Sequence, residues 1–270
     1  VTVLNDYQIL YNGVTMGQGT PFRLNKIEGL RELPLLRTSD YAKLKHHGAF
    51  SGIDVLEGRT VTFTMTIVGA GMSDFETQLA AFESAAIPLL TTSLPLSYKL
   101  PNQTQRQILA RTRRRTEVIL PSYTKAFIGA GAGMAPANVA SPLAWELFCG
   151  DPRIYDDTLT TTAITTTATI TNAGNFESRP VITVTPGSSP ITITNAGDSS
   201  HFIKLATSSI GSIPNPCVID LLARTVVDGS GANRFDLIDP TTQWFVLAPG
   251  ANAITISGGT ASVAWRSAWL

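Results

Sequence analysis

The plainest pattern in the chain is the run TVTFTMTIV, Thr60 to Val68. Val61, Phe63, Met65 and Ile67 fall on one side of an extended strand and Thr60, Thr62, Thr64 and Thr66 on the other. Alternation of this kind predicts a half-buried strand with a threonine outer face. The period then changes: Phe75, Leu79, Phe82 and Ala86 recur at helical spacing, Pro88 closes the segment, and Ser73 with Glu76 predicts a capping box at its start. Before the long strand, Tyr7–Tyr11 and Val14–Met16 flank Asn12-Gly13, a hairpin signal, and Phe22 to Leu30 reads as a further strand. Leu33 to Gly52 has no sustained period. Further strands are expected at Leu94–Leu100, Gln105–Leu120, Tyr123–Ile128 and Leu143–Cys149, with a Gly- and Ala-rich loop from Gly129 to Ala140.

Beyond Asp151 the texture is β throughout. TITNAG occurs at Thr169–Gly174 and again at Thr192–Gly197, with a looser version, ITISGG, at Ile254–Gly259; each reads as a strand running into an Asn/Gly turn. Strands are also expected at Val181–Thr185, Phe202–Ala206, Val218–Leu222, Trp244–Leu247 and Ala261–Trp269, with turns at Pro186-Gly187, Asp228-Gly229 and Pro249-Gly250. That spacing suits a sandwich. The chain therefore reads as mainly β. An α+β domain over 1–152, with antiparallel sheets and one short helix, precedes a β-sandwich over 153–270.

Composition narrows the function classes. Lys+Arg 20 against Asp+Glu 20 gives zero formal charge, so no global attraction to nucleic acid or an anionic membrane follows. Charged residues make only 15% of the chain, which suits a surface covered by neighbours in an assembly, although a Thr-rich secreted β protein would look similar. The two cysteines, Cys149 and Cys217, are too few for a stapled fold and are expected as buried apolar groups. The first residues carry Asn5, Asp6 and Gln8 in place of a signal peptide's basic and apolar regions, and no apolar run reaches bilayer length. A soluble protein is the expectation, made in a reducing cytoplasm.

Chemistry-bearing motifs are sparse. No nucleophile elbow, phosphate loop or dinucleotide glycine pattern occurs, so neither an enzyme nor a cofactor is expected. His46 and His47 are adjacent and face opposite ways in a strand, and His201 is the one other histidine, a poor basis for a zinc site. DGSGAN at Asp228–Asn233 lacks the spaced carboxylates of a calcium loop and reads as a turn. Two groups stand out. In an extended strand Arg111, Arg113 and Arg115 would share one face at intervals of about 6.6–7 Å, lining a channel, pairing with a neighbouring subunit, or simply facing solvent. Trp265 and Trp269, four apart in one expected strand, would share a face that packs on the core or a subunit, or stacks on a sugar.

An ordered set of segments resembles the distal tail (Dit-like) minor tail proteins of long-tailed bacteriophages. In the first domain these are GIDVLEGRTVTFTMTIVG (Gly52–Gly69) with its helix and the Arg-rich LARTRRRTEVIL (Leu109–Leu120). The junction WELFCGDPRIY (Trp145–Tyr155) follows. The second domain adds NAGNFESRPVITVTPG (Asn172–Gly187), LARTVVDG (Leu222–Gly229), FVLAPGANAITI (Phe245–Ile256) and the closing WRSAWL. The resemblance implies a virion structural protein at the far end of the tail. Its N-terminal domains would close a homo-oligomeric ring, usually a hexamer, and galectin-like C-terminal sandwiches would project outward. The implied partners are the tail tube, tape measure and tail hub or tail-tip proteins, with DNA passing through the lumen at most and no sequence-specific reading of it. A host cell-surface glycan is the partner under the alternative, a receptor-binding sandwich.

Overall fold

The computed structural model describes residues 2–117, 139–207 and 211–270. It is mainly β, and the strand pairs whose registers are resolved are antiparallel. Two compact units divide the chain, Val1–Ile154 and Tyr155–Leu270. The expected strand Tyr123–Ile128 and most of the expected loop Gly129–Ala140 lie outside the described residues; Val139 and Ala140 themselves begin a strand.

The first unit begins with β1 (Gln8–Tyr11) and β2 (Val14–Gly17), joined at Asn12 (φ 45) and Gly13 (φ 81), the pair of positive angles that a tight hairpin demands. Next come β3 (Phe22–Glu28) and four two-residue strands: β4 (Leu36–Arg37), β5 (Tyr41–Ala42), β6 (Ala49–Phe50) and β7 (Val55–Leu56). They are followed by the long β8 (Arg59–Gly69), helix α1 (Met72–Ala85), β9 (Leu94–Lys99), β10 (Arg106–Glu117) and β11 (Val139–Cys149). The sheet runs β2-β1-β9-β10-β11-β8-β3. Val61, Phe63, Met65 and Ile67 are all buried, as the alternation predicts. They meet the helix through an aromatic cluster in which Trp145 stands edge-on to Tyr11 at 5.2 Å and to Phe82 at 5.5 Å.

The helix start differs from the expectation. Its N-cap is Gly71, so Ser73 lies inside the first turn and Glu76 just beyond it, and no capping box forms. Instead the Asp74 carboxylate accepts the Ala70 N–H at 2.8 Å, and that bond holds its carboxyl below the usual range. Gly69 explains the shift. A Cβ there would lie 2.4 Å from the Phe75 nitrogen, so the chain turns into the helix close against its own strand end.

Strand β12 (Ile154–Asp156) carries the chain into the second unit. There β13 (Thr160–Ile164), β14 (Thr167–Asn172), β15 (Val181–Pro186), β16 (Ile191–Asn195), β17 (His201–Leu205), β18 (Cys217–Asp220), β19 (Thr225–Asp228), β20 (Gly250–Ser257) and β21 (Gly259–Trp265) build two sheets. One has the order β13-β21-β15-β18-β19 and the other β14-β20-β16-β17. Ile182, Val184, Ile219 and Val263 from the first pack with Ile170, Ile193, Ile203 and Ile254 from the second, the core of a sandwich.

The repeated TITNAG has a structural reason. Asn172 and Asn195 are both buried, and each accepts the N–H of the glycine two residues on, Gly174 and Gly197. Each then donates its amide to one passing segment: Asn172 to the Leu247 carbonyl at 3.0 Å, Asn195 to the Val246 carbonyl at 2.7 Å. These bonds also correct an expectation. Trp244–Leu247 is no regular strand; the Asp198 carboxylate takes the Val246 N–H, and only Leu247 bridges to Ser178. Side chains have replaced a neighbouring strand.

Candidate interaction surfaces

Between β3 and β8 the short strands form an arm. Leu36 and Arg37 pair with Leu56 and Val55, and farther out Tyr41 and Ala42 pair with Phe50 and Ala49. The Ser39 hydroxyl donates to the Ile53 carbonyl and accepts the Ile53 N–H, while Asp40 accepts the Gly52 N–H at 2.7 Å. Tyr41 and Phe50 meet at 5.3 Å, with the Lys43 ammonium 5.2 Å from the Phe50 ring centroid. Apolar side chains along it are bare: Leu33 is 76% exposed, Leu44 89% and Ile53 79%, with Leu35, Tyr41 and Phe50 also exposed. Two-residue strands are marginal without a packed face, and exposed apolar residues gathered on one element mark a contact surface. The periodic signals that identified other strands are missing because this element buries little within its own chain.

The root of the arm is held differently. Arg59 is buried, and its Nη1 donates to the carbonyls of Leu30 and Glu32, each at 2.8 Å, and of Gly29 at 3.3 Å. Its Nε and Nη2 are buried without a hydrogen-bond partner, and burial pulls the guanidinium below its ordinary pKa. The arm's first residues are thereby tied to the residue that follows its last.

The arginine strand departs from the expected alternation. Opposite β11 the register slips between Thr112 and Arg114, leaving Arg113 as the extra residue of a β-bulge. Arg111 and Arg113 both lie over the Phe148 ring, at 5.7 and 4.4 Å. Arg115 is delivered to the opposite face. It pairs with Trp145 across the strands and reaches Glu83 of α1 at 2.8 Å. Arg111, Arg113 and Arg115 therefore do not share a face; a bulge moves each later residue to the other side. Arg113, Arg114 and Arg115 line a groove of about 500 Å³ with Glu83, Ile87 and Pro88 beyond the helix end.

The tryptophan pair is likewise separated. Strand β21 ends at Trp265, and β22 (Ala268–Trp269) is a distinct element. Between them the Arg266 guanidinium donates to the Asp156 and Asp157 carbonyls, and the Ser267 hydroxyl accepts the Ala173 N–H. Those side-chain bonds turn the chain out of the strand. Trp265 is buried in the sandwich core, with its indole N–H directed to the Thr171 carbonyl at 3.3 Å; Trp269 is half-buried. Trp265 offers no open ring face.

His46 and His47 are exposed at the arm's tip, whereas His201 lies in the second unit, 3.3 Å from Asp198. Asp228 folds the DGSGAN turn by accepting the Ser230 hydroxyl and amide and the Ala232 amide. Both cysteines are buried; burial pushes the Cys149 thiol up to about 12 and the Cys217 thiol up to about 11. Among the described residues no helix is long and apolar enough to cross a membrane.

Comparison with known proteins defines a class first. Residues 173–269 match the family described as siphovirus-type tail component, C-terminal domain. Over nearly its whole length the chain also has the fold of the Dit protein (gp 19.1) of phage SPP1, described as a paradigm of hub adsorption apparatus in phages infecting Gram-positive bacteria. The TM-score is 0.69 at 15% identity, over 97% of this chain and 99% of that one. A chain of the phage P2 baseplate in its activated conformation with Ca follows at TM-score 0.53 and 11% identity, over 98% of both chains. No curated protein sequence matches to a significant degree. The C-terminal part of this chain thus matches a siphovirus tail-component domain, and the chain over nearly its whole length shares the fold of the SPP1 Dit protein. The resemblance seen in the ordered sequence segments stands.

Proposed function

We propose that this protein is a structural, non-catalytic adaptor at the distal end of a siphovirus tail. It closes on itself as a ring, of six copies as the family resemblance implies, and joins the tail tube and tape measure to the tail hub or tail-tip proteins. The observation that carries the reading is the arm: a preformed element with its apolar residues turned to solvent, on a chain whose fold is that of a hub protein.

Charge suggests what the arm meets. Between Tyr41 and Phe50 the tip carries Lys43, Lys45, His46 and His47 and no acid. Helix α1 carries Asp74, Glu76 and Glu83 and no base. A basic arm seated on the acidic helix of the next copy is a head-to-tail contact, the kind that repeats until a ring closes. On this reading Arg113 and Arg114, exposed at the bulge, face a neighbour or the lumen, while Arg115 is engaged by its own helix.

The test is the native mass of the full chain at micromolar concentration by light scattering, with negative-stain images. It is compared with a variant in which the arm from Ser39 to Gly52 is replaced by a short glycine linker. A ring for the first and a folded monomer for the second is expected. A ring that survives the excision removes the arm from the interface; a native chain that is monomeric both alone and on reconstituted tail tubes removes the ring.

A further inference from the structure

Among its described residues the second unit leaves one large aromatic ring on display, that of Phe235. From Gly229 to Val246 the chain contains no regular strand, yet it is pinned at short intervals. Asp228 organises the first turn. The Arg234 N–H donates to the Val226 carbonyl. Asp239 accepts the Thr241 hydroxyl and amide and pairs with Lys204 at 2.9 Å, and the Gln243 N–H reaches the Phe202 carbonyl. Phe235 sits in the middle of this segment, on a short 3-10 turn, Phe235–Leu237. Its ring stacks on Trp244 with centroids 6.4 Å apart and planes 14° from parallel. Trp244 in turn leans on the sandwich core, yet Phe235 remains 48% exposed.

We propose that the outer face of Phe235, backed by Trp244, is a platform for one pyranose unit of a glycan. A pyranose has a flat C–H face that loses water favourably against an aromatic ring, and a rim of hydroxyls that needs fixed, planar hydrogen-bonding groups. Both kinds of partner are present. On either side of Phe235, Arg234 and Asp236 lock each other in a two-bond fork, Nε to Oδ1 at 3.1 Å and Nη2 to Oδ2 at 3.3 Å. Asn233 accepts the Phe235 N–H with its oxygen, which leaves its amide nitrogen to donate elsewhere.

The dimensions favour a sugar over a protein. A stable protein interface covers about 800 Å² per partner. Along the same segment the exposed residues Asn233, Thr241 and Gln243 are polar, so the apolar area is that of one ring. The rigidity of the segment matters too, because a weak ligand gains most from a site that needs no ordering when it binds. This places sugar contact in the sandwich, at residues distinct from Trp265 and Trp269. That such a glycan would lie on a host surface rests on the tail-tip reading; the platform itself does not.

The test uses the full chain. A printed array of glucose, galactose, rhamnose and N-acetylhexosamine oligosaccharides is followed by titration of each retained trisaccharide, read by tryptophan fluorescence. Phe235→Leu keeps apolar volume but loses the flat ring and should weaken binding by roughly tenfold or more. Phe235→Tyr keeps the ring and should stay within about threefold of the native chain. Trp244→Phe should remove the fluorescence signal. Melting temperature and native mass are measured on the same samples, so a failed ring and a failed platform are told apart. Retention of no printed glycan by the native chain, or undiminished binding by a folded Phe235→Leu chain, overturns the proposal.

Discussion

The arm and the TITNAG sandwich solve opposite problems with the same kind of backbone. In the sandwich, isoleucines and valines fill the space between two sheets, and the buried polar residues Asn172, Asn195 and Asn252 are bonded repeatedly to backbone or to one another. In the arm, Leu33, Leu44 and Ile53 face solvent, and the polar bonds run within the hairpin itself. Such a sandwich is complete in one copy; an arm of this kind acquires a packed face only against something else. A buried asparagine is therefore a stability residue here, and an exposed leucine, on the proposed ring, an association residue.

The widest separation is expected from Asn195→Ala. It takes the amide donor from the Val246 carbonyl, at about 1–3 kcal/mol for an unsatisfied buried group, whereas the Asn252 Oδ1 keeps the Ala248 N–H and the exposed Gly197 N–H can turn to water. A loss of roughly 2–3 kcal/mol in a chemical melt, confined to the second unit, is the expected result. A loss below about 1 kcal/mol would show that water replaces the side chain and that the contrast between the two regions is overdrawn.

Next in size is the paired change Leu44→Ser and Ile53→Ser. Both positions are exposed, so the melt should move by no more than about 0.5 kcal/mol, while the concentration for half-assembly should rise by roughly tenfold or more. A large fall in the chain's own stability would mean that the arm packs at home.

Thiol chemistry sharpens the comparison in a smaller way. With burial holding the Cys149 and Cys217 thiols up at about 12 and about 11, neither is a thiolate near pH 8. Iodoacetamide should leave both unmodified in the native chain and label both after denaturation. Prompt native labelling of Cys217 would reveal an opening of the sandwich that the bonded asparagines ought to prevent.

The smallest effect concerns acid. Hydrogen bonds from the Thr241 hydroxyl and amide, with Lys204 beside them, hold the Asp239 carboxyl well below the usual range, and the Ser230 hydroxyl and Ala232 amide do the same for Asp228. Their folded values lie below the unfolded ones, so what they contribute is fully present above about pH 4. It fades as pH falls through the lowered values. Amide exchange at Ser230 and Thr241 should accelerate relative to intrinsic rates only on the acid side of that window. The arm-tip amides near Lys43 should show no such step.

Much of this was legible in the amino-acid order where a side chain's role is local and periodic. The alternation Thr60–Val68 became β8 with its predicted inner face, and Asn12-Gly13 became the hairpin. What escaped depended on neighbours. Nothing in RTRRRT marks Arg113 as a bulge, since that is set by the register on Glu146 and Leu147. The break after Trp265 comes from bonds made by Arg266 to residues more than a hundred positions earlier. Ser73 and Glu76 had the spacing of a capping box, but Gly69, packed against Phe75, set the turn two residues sooner. Phe235 gave no periodic signal, and Trp244 was read into a strand that does not form, because the segment that stacks them is irregular.

Arg59 bears on how fast copies would find one another. Because one buried guanidinium ties the arm's root to β8, the root cannot fray unless the edge of that strand opens with it. On the proposed ring an incoming copy would meet an arm already set in direction, with little chain entropy left to be lost at contact. Growth by such pieces is governed by collision and orientation, with no waiting step for a loose segment to order. Arg59 would thus act on the rate of assembly from a position buried within its own chain.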